Sequence, residues 1–106
     1  MLLVECWNTF GDVGAASRST NRKRSELEDL AAGRWGPDAQ VGVVWVVRAT
    51  GRNRALLQRY PEVFAARFPA SSRDWVAALT VGTPPPGDPG LVWCDVGATR
   101  VFEWRR

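Results

Sequence analysis

VGVVWVV, residues 41–47, constrains this chain more than any other stretch. A strand sends successive side chains to opposite faces. Here both alternating sets are apolar, so the segment needs cover on both sides. That pattern belongs to a central strand in an α/β sheet. A single such strand cannot fold alone, and the rest of the sequence must supply its neighbours and its covers.

The neighbours are legible. LLVECW (Leu2–Trp7) is short, apolar and rich in strand formers. LVWCDV (Leu91–Val96) and RVFEW (Arg100–Trp104) read as two more strands, joined by Gly97, Ala98 and Thr99 in an antiparallel hairpin. The covers are helices. Residues 8–19, with Gly11 and Gly14, read as a loop, and Ser19 or Thr20 is expected to cap a helix in which Leu27, Leu30 and Ala31 share a face. Its cations precede its acids, against the preference of the helix dipole. Asn53–Arg59 reads as a second helix, capped by Asn53 and interrupted at Tyr60, with a restart at Pro61. Ser71 and Asp74 open another helix, whose buried side holds Trp75, Val76 and Leu79. The order is β-α-β-α-α-β-β. The fold class follows as α/β: a small mixed sheet with a parallel β-α-β unit, two to three further helices and a C-terminal β-hairpin.

At 106 residues the chain forms one domain, 1–106, or part of a longer protein. It has no histidine, which removes imidazole acid–base chemistry and His-containing zinc sites. Cys6 and Cys94 are expected as small buried side chains, with a disulfide left open. No apolar run is long enough to span a bilayer and no leader precedes the first strand, so a cytoplasmic location without membrane contact is expected. The net charge of +3 is mild, but 13 of the 14 cations are arginine, whose planar fork suits phosphate and carboxylate.

Four stretches carry chemistry. Glu5 is a lone acid in a buried strand, where an unpaired carboxylate is costly. It either pairs with a cation of the following helix, Arg22 for example, or serves as a metal ligand or catalytic carboxylate, or lies exposed on an edge. RSTNRKRSE offers Arg18, Arg22, Lys23 and Arg24 for phosphate contact, or Arg22–Glu26 and Arg24–Glu28 as pairs along the helix. RATGRNR places Arg48, Arg52 and Arg54 at a strand end and helix start, an arrangement that fits a phosphate or carboxylate clamp. Asp95 in WCD is expected to stabilise a turn. A parallel pairing of the first two strands would bring Trp7–Asn8 and Arg48–Arg54 to one rim, the edge at which open α/β sheets bind ligands.

VECWN, GDVGAASRSTNRK, the segment from VVWVVRATGRNR to FP, SSRDWVAAL and GLVWCDVGATRVFEWR together resemble a C-terminal region of actinobacterial helix-turn-helix (Xre-type) transcriptional regulators. The resemblance implies a non-catalytic regulatory or DNA-associated domain, acting in dimerisation or ligand sensing, with DNA or another phosphate-bearing ligand at the arginine rim. The DNA-reading helix pair does not precede Leu2, so the chain corresponds to the companion domain. A second resemblance is to the restriction-endonuclease-like PD-(D/E)xK core, in which Glu5 matches the acid of the motif. Trp7 stands where that motif has lysine, so Lys23 would substitute from the helix with Glu26 beside it. This alternative implies a metal-dependent nuclease with Glu5 on Mg²⁺. A third reading is a protein-interaction module built on Trp93 and Trp104.

Overall fold

The computed structural model describes residues 1–9 and 12–105. Gly11, part of the expected loop, lies outside them. The elements are β1 (Leu2–Trp7), α1 (Val13–Trp35), β2 (Gly42–Arg48), α2 (Gly51–Arg59), α3 (Pro61–Arg67), α4 (Ser72–Val81), β3 (Gly90–Cys94) and β4 (Val101–Glu103). The sheet runs β1-β2-β3-β4. β1 and β2 are parallel, with Leu2 opposite Gly42 and Trp7 opposite Val47. β3 is also parallel to β2, with Val44 opposite Gly90, while β3 and β4 form the antiparallel hairpin. The domain is therefore mixed α/β, with three helices after β2.

Each face of the sheet has its own core. On one face Trp45, Val47, Leu91 and Trp93 pack with Ala16 of α1, Leu57 of α2, Phe64 of α3 and Phe68 beyond it. Trp45 leans on Trp7 at 5.1 Å and on Phe68 at 4.8 Å between ring centroids, in the tilted geometry aromatic pairs favour. On the other face Val44, Val46 and Val92 lie beneath Trp75 of α4. This is why residues 43–47 are apolar without interruption: every one of them is buried.

Gly42 and Gly90 make room for Trp75. A Cβ at Gly90 would stand 2.5 Å from Trp75 Nε1 and 2.8 Å from Cγ, and one at Gly42 would meet Trp75 Cη2 at 3.0 Å. The indole N–H donates to the Asp88 carbonyl at 3.1 Å. Ser72 ties α4 to the sheet: its hydroxyl donates to the Leu91 carbonyl and accepts from the Trp104 N–H, each at 2.7 Å.

Several expected boundaries move. α1 starts at Val13, capped by Asp12, whose carboxylate accepts from Ala15 N–H at 3.1 Å. Neither Ser19 nor Thr20 is the cap, and the cations fall within the helix and not at its start. Arg34 occupies its last turn, which suits the dipole. Thr50, not Asn53, caps α2. Ser71 caps α4, and Pro61 opens α3, both as the sequence implies. β3 ends at Cys94 and β4 has three residues, so the hairpin strands are shorter than their apolar runs. Trp93 and Trp104 are buried at 6% and 7% exposure, so most of each ring serves the core. Among the described residues no helix is long and apolar enough to cross a membrane.

Candidate functional site

Alternation along β1 turns Leu3, Glu5 and Trp7 towards α1 and leaves Leu2, Val4 and Cys6 exposed. Glu5 thus faces a helix, and its partner is decided by helical phase. The inward stripe of α1 holds Ala16, Thr20 and Ala31, and Lys23 falls on the same stripe at the spacing of one helical turn. Lys23 Nζ donates to both Glu5 oxygens at 3.3 Å. Thr20 Oγ1 donates to Glu5 Oε1 at 3.3 Å and accepts from the Trp45 indole N–H at 3.0 Å. A chain of polar groups therefore runs from the central strand to the helix and back to the edge strand. The expected pairing with Arg22 does not occur, because Arg22 lies about 100° around the helix from Lys23 and is exposed.

Of the nuclease set, the structure brings Glu5 and Lys23 together and leaves Glu26 exposed on α1, outside their hydrogen-bond network. Among the described residues no three Cys, Asp or Glu side chains converge on one point.

The arginines divide among several surfaces. Arg18 and Arg22 are exposed on α1. Arg24 Nε lies 2.9 Å from Glu28 Oε1, the helical pair the spacing implies, but the approach is misaligned and makes no hydrogen bond. Arg22–Glu26 does not form. Arg48 points to the α4 side of the sheet, in a hollow shared with Cys6, Cys94 and Arg100. Arg54 turns the other way. Its guanidinium lies over Trp93 at 5.4 Å and Phe102 at 5.9 Å, a cation–π arrangement, and its Nε donates to the Ala49 carbonyl at 3.4 Å. Arg52 is exposed in the first turn of α2. Arg48 and Arg54 thus do not close one clamp.

The rim itself forms as expected, and its key residue is Asn53. Almost fully buried, Asn53 donates through Nδ2 to the Asn8 carbonyl at 2.8 Å and the Arg48 carbonyl at 2.9 Å. One amide therefore joins the ends of β1 and β2 to the start of α2. By sequence Asn53 reads as a helix cap, a role that Thr50 takes. An asparagine one turn after a strand in RATGRNR was the only signal for its actual role.

Two further groups have clear chemistry. The Asp95 carboxylate accepts from Thr99 Oγ1 at 2.7 Å and from the Thr99 and Arg100 N–H groups at 2.7 and 2.9 Å. The Thr99 hydroxyl first, and then the Arg100 N–H, hold its pKa down at about 2. It is the turn residue the sequence implies. Cys6 and Cys94 are both free thiols, and Cys6 is exposed, contrary to the expectation of burial. Burial pushes the Cys94 thiol up, with Arg48 opposing and Cys6 adding to the shift.

Compared with protein-family models, with characterised proteins and with solved structures, the chain finds no match.

Proposed function

We propose that this chain is a non-catalytic regulatory domain of a DNA-associated protein, as its resemblance to the companion region of helix-turn-helix regulators implies. The observation that carries the non-catalytic part is the closure of Glu5. Its two oxygens already face an ammonium group and one of them a hydroxyl, so the carboxylate acts as a brace between β1 and α1. Phosphate contact falls to the rim where α1 and α2 begin, with Arg18, Arg22 and Arg52 exposed there and beyond it. β1 lies at the edge of the sheet, which supports self-association as a second part of the reading.

Duplex DNA titrated at two salt concentrations tests the rim. Neutralising about three phosphates gives a log–log salt slope of roughly −3. Absence of binding at low salt refutes this part. Sedimentation tests the second part, and a monomer at high concentration counts against it.

The metal-dependent nuclease is the second reading: it uses the same Glu5 and Lys23, which meet at 3.3 Å, and it requires that pair to open for the metal. In that reading Glu5 would bind Mg²⁺ and Lys23 would orient the reacting groups, with Glu26 recruited from α1. Mg²⁺- or Mn²⁺-dependent cleavage of DNA that disappears in Glu5→Gln establishes it. Equal background in both proteins excludes it.

A further inference from the structure

The two edges of the sheet are protected unequally. β4 has three residues, with Arg100 before it and Arg105 soon after. β1 has six, LLVECW, with no lysine, no proline and no bulge against β2. Its one charge, Glu5, is already neutralised by Lys23. Lysine, proline, bulges and unpaired inward charges are the devices by which edge strands avoid pairing. Leu2 and Val4 are 42% and 44% exposed, and Cys6 is exposed on the same face.

The open side of β1 has a fixed order of backbone groups. The Met1 carbonyl accepts from the Gly42 N–H at 3.0 Å. Successive residues of a strand direct their N–H and C=O groups to opposite sides. Leu3, Glu5 and Trp7 therefore bond to β2, as Met1 does. Leu2, Val4 and Cys6 direct theirs outward, where no described strand lies.

This order selects one antiparallel register between two copies, about a two-fold axis at Val4. Val4 then faces Val4 of the second copy, and each Leu2 faces a Cys6. All three outward residues enter hydrogen-bonded pairs, and Glu5 faces Leu3. A slide of one residue sets outward groups against inward ones. A slide of two residues one way sets Glu5 against Glu5, a like-charge pair at the closest cross-strand spacing. The same slide the other way leaves Cys6 unpaired.

α1 fits the same axis. Ser17, Asn21 and Arg24 turn towards Phe68, whereas Lys23 reaches Glu5 on β1. The stripe of Ser19, Lys23, Glu26 and Leu30 therefore lies on the β1 side of the helix. Thr20 bonds both Glu5 of β1 and Trp45 of β2, so α1 rides above the gap between these strands. With strands about 4.8 Å apart, the axis brings the second α1 to about 10 Å, a helix-packing distance. The two helices run antiparallel. Glu26 of one then stands near Lys23 of the other, and Leu30, 57% exposed, lies near the small Ser19. Because β4 is protected, the assembly closes at two copies.

We propose that this chain dimerises through β1, antiparallel about a two-fold axis at Val4, joining two four-stranded sheets into one. The proposal rests on the self-association part of the reading above and names its surface and register.

Sedimentation velocity should show a monomer–dimer equilibrium with Kd about 100 µM or tighter. Val4→Pro is the decisive variant. The N–H it removes is one that points outward, and proline is tolerated at such edge positions. The far-UV circular dichroism should therefore hold, while the loss of two inter-chain hydrogen bonds weakens the dimer about thirtyfold or more. If that variant does not fold, Val4→Lys takes its place, a charge on an exposed side chain with the same expected loss. Val4→Cys in a Cys6→Ser background reads the register. The Cα spacing of about 5.5 Å across a hydrogen-bonded pair suits a disulfide, so mild oxidation should link position 4 to position 4. A dimer that keeps its strength in Val4→Pro or Val4→Lys overturns the proposal and leaves self-association standing. So does a dimer in which Val4→Cys stays unlinked. A monomer at about 1 mM overturns both.

Discussion

Replacing Asn53 tests whether the rim is held by one side chain. Asn53→Ala removes two hydrogen bonds, at 2.8 and 2.9 Å, between α2 and the ends of β1 and β2. Each such bond is worth about 1 kcal/mol net, and a carbonyl left without a donor in a buried place adds about 1–3 kcal/mol. Asn8 is exposed and its carbonyl recovers water, whereas Arg48 is half-buried and its carbonyl recovers less. The expected loss is therefore about 3 kcal/mol, which at a urea slope of about 2 kcal/mol/M moves the midpoint down by about 1.5 M. Tryptophan fluorescence reads the transition. Asn53→Asp sharpens the test. At neutral pH it sets a carboxylate against two carbonyl oxygens, so it should be worse than alanine. Burial and those oxygens favour the protonated acid in the folded state, which raises the folded pKa above the unfolded value of about 3.9. A raised folded pKa means stability is present below the unfolded pKa and lost as pH rises. Asn53→Asp should therefore approach the alanine variant near pH 3.5 and fall below it by pH 7. A midpoint for Asn53→Ala within about 0.3 M of the parent refutes the clasp, as does an Asn53→Asp variant equal to alanine at both pH values.

Three other outcomes follow. Gly90→Ala drives a methyl group into the Trp75 indole, and the overpacking should cost about 3 kcal/mol or more and lower the melting temperature by well over 10 °C; an unchanged transition would show that Trp75 can move aside. Asp95 has its folded pKa lowered to about 2 from the usual 3.8, so its stabilising effect is present above pH 4 and is lost as pH falls towards 2. Asp95→Asn should flatten that part of the acid-unfolding curve, and an identical acid limb in both proteins counts against the turn network. Iodoacetamide should label exposed Cys6 before Cys94, whose thiol is half-buried and pushed up by burial; peptide mapping of the singly labelled protein decides, and preferential labelling of Cys94 contradicts the arrangement.

Much of this architecture was legible because strand alternation is strict. The burial of residues 43–47 on both faces, the parallel pairing of β1 with β2, the hairpin and the Ser71 cap all follow from local pattern. α1 was harder. Its inward stripe contains Thr20 and Lys23, polar residues whose presence there is explained only by Glu5 opposite them. A helix face that meets a half-buried acid does not look apolar, so both its phase and its start are obscured in the sequence. The arginines were misread for a different reason. Arg48 and Arg54 are close in sequence, but one ends a strand and the other sits in the first turn of a helix. They consequently face opposite sides of the sheet.

The register of the sheet also bears on how the chain assembles. Residue 2 must find residue 42, and residue 44 must find residue 90, before either pair of strands gains a hydrogen bond. Loop-closure entropy is spent before those pairings return anything. On a ribosome the opening strand therefore waits, unzipped, until β2 has emerged, and a nascent chain cut short before Gly90 holds β2 with one flank bare.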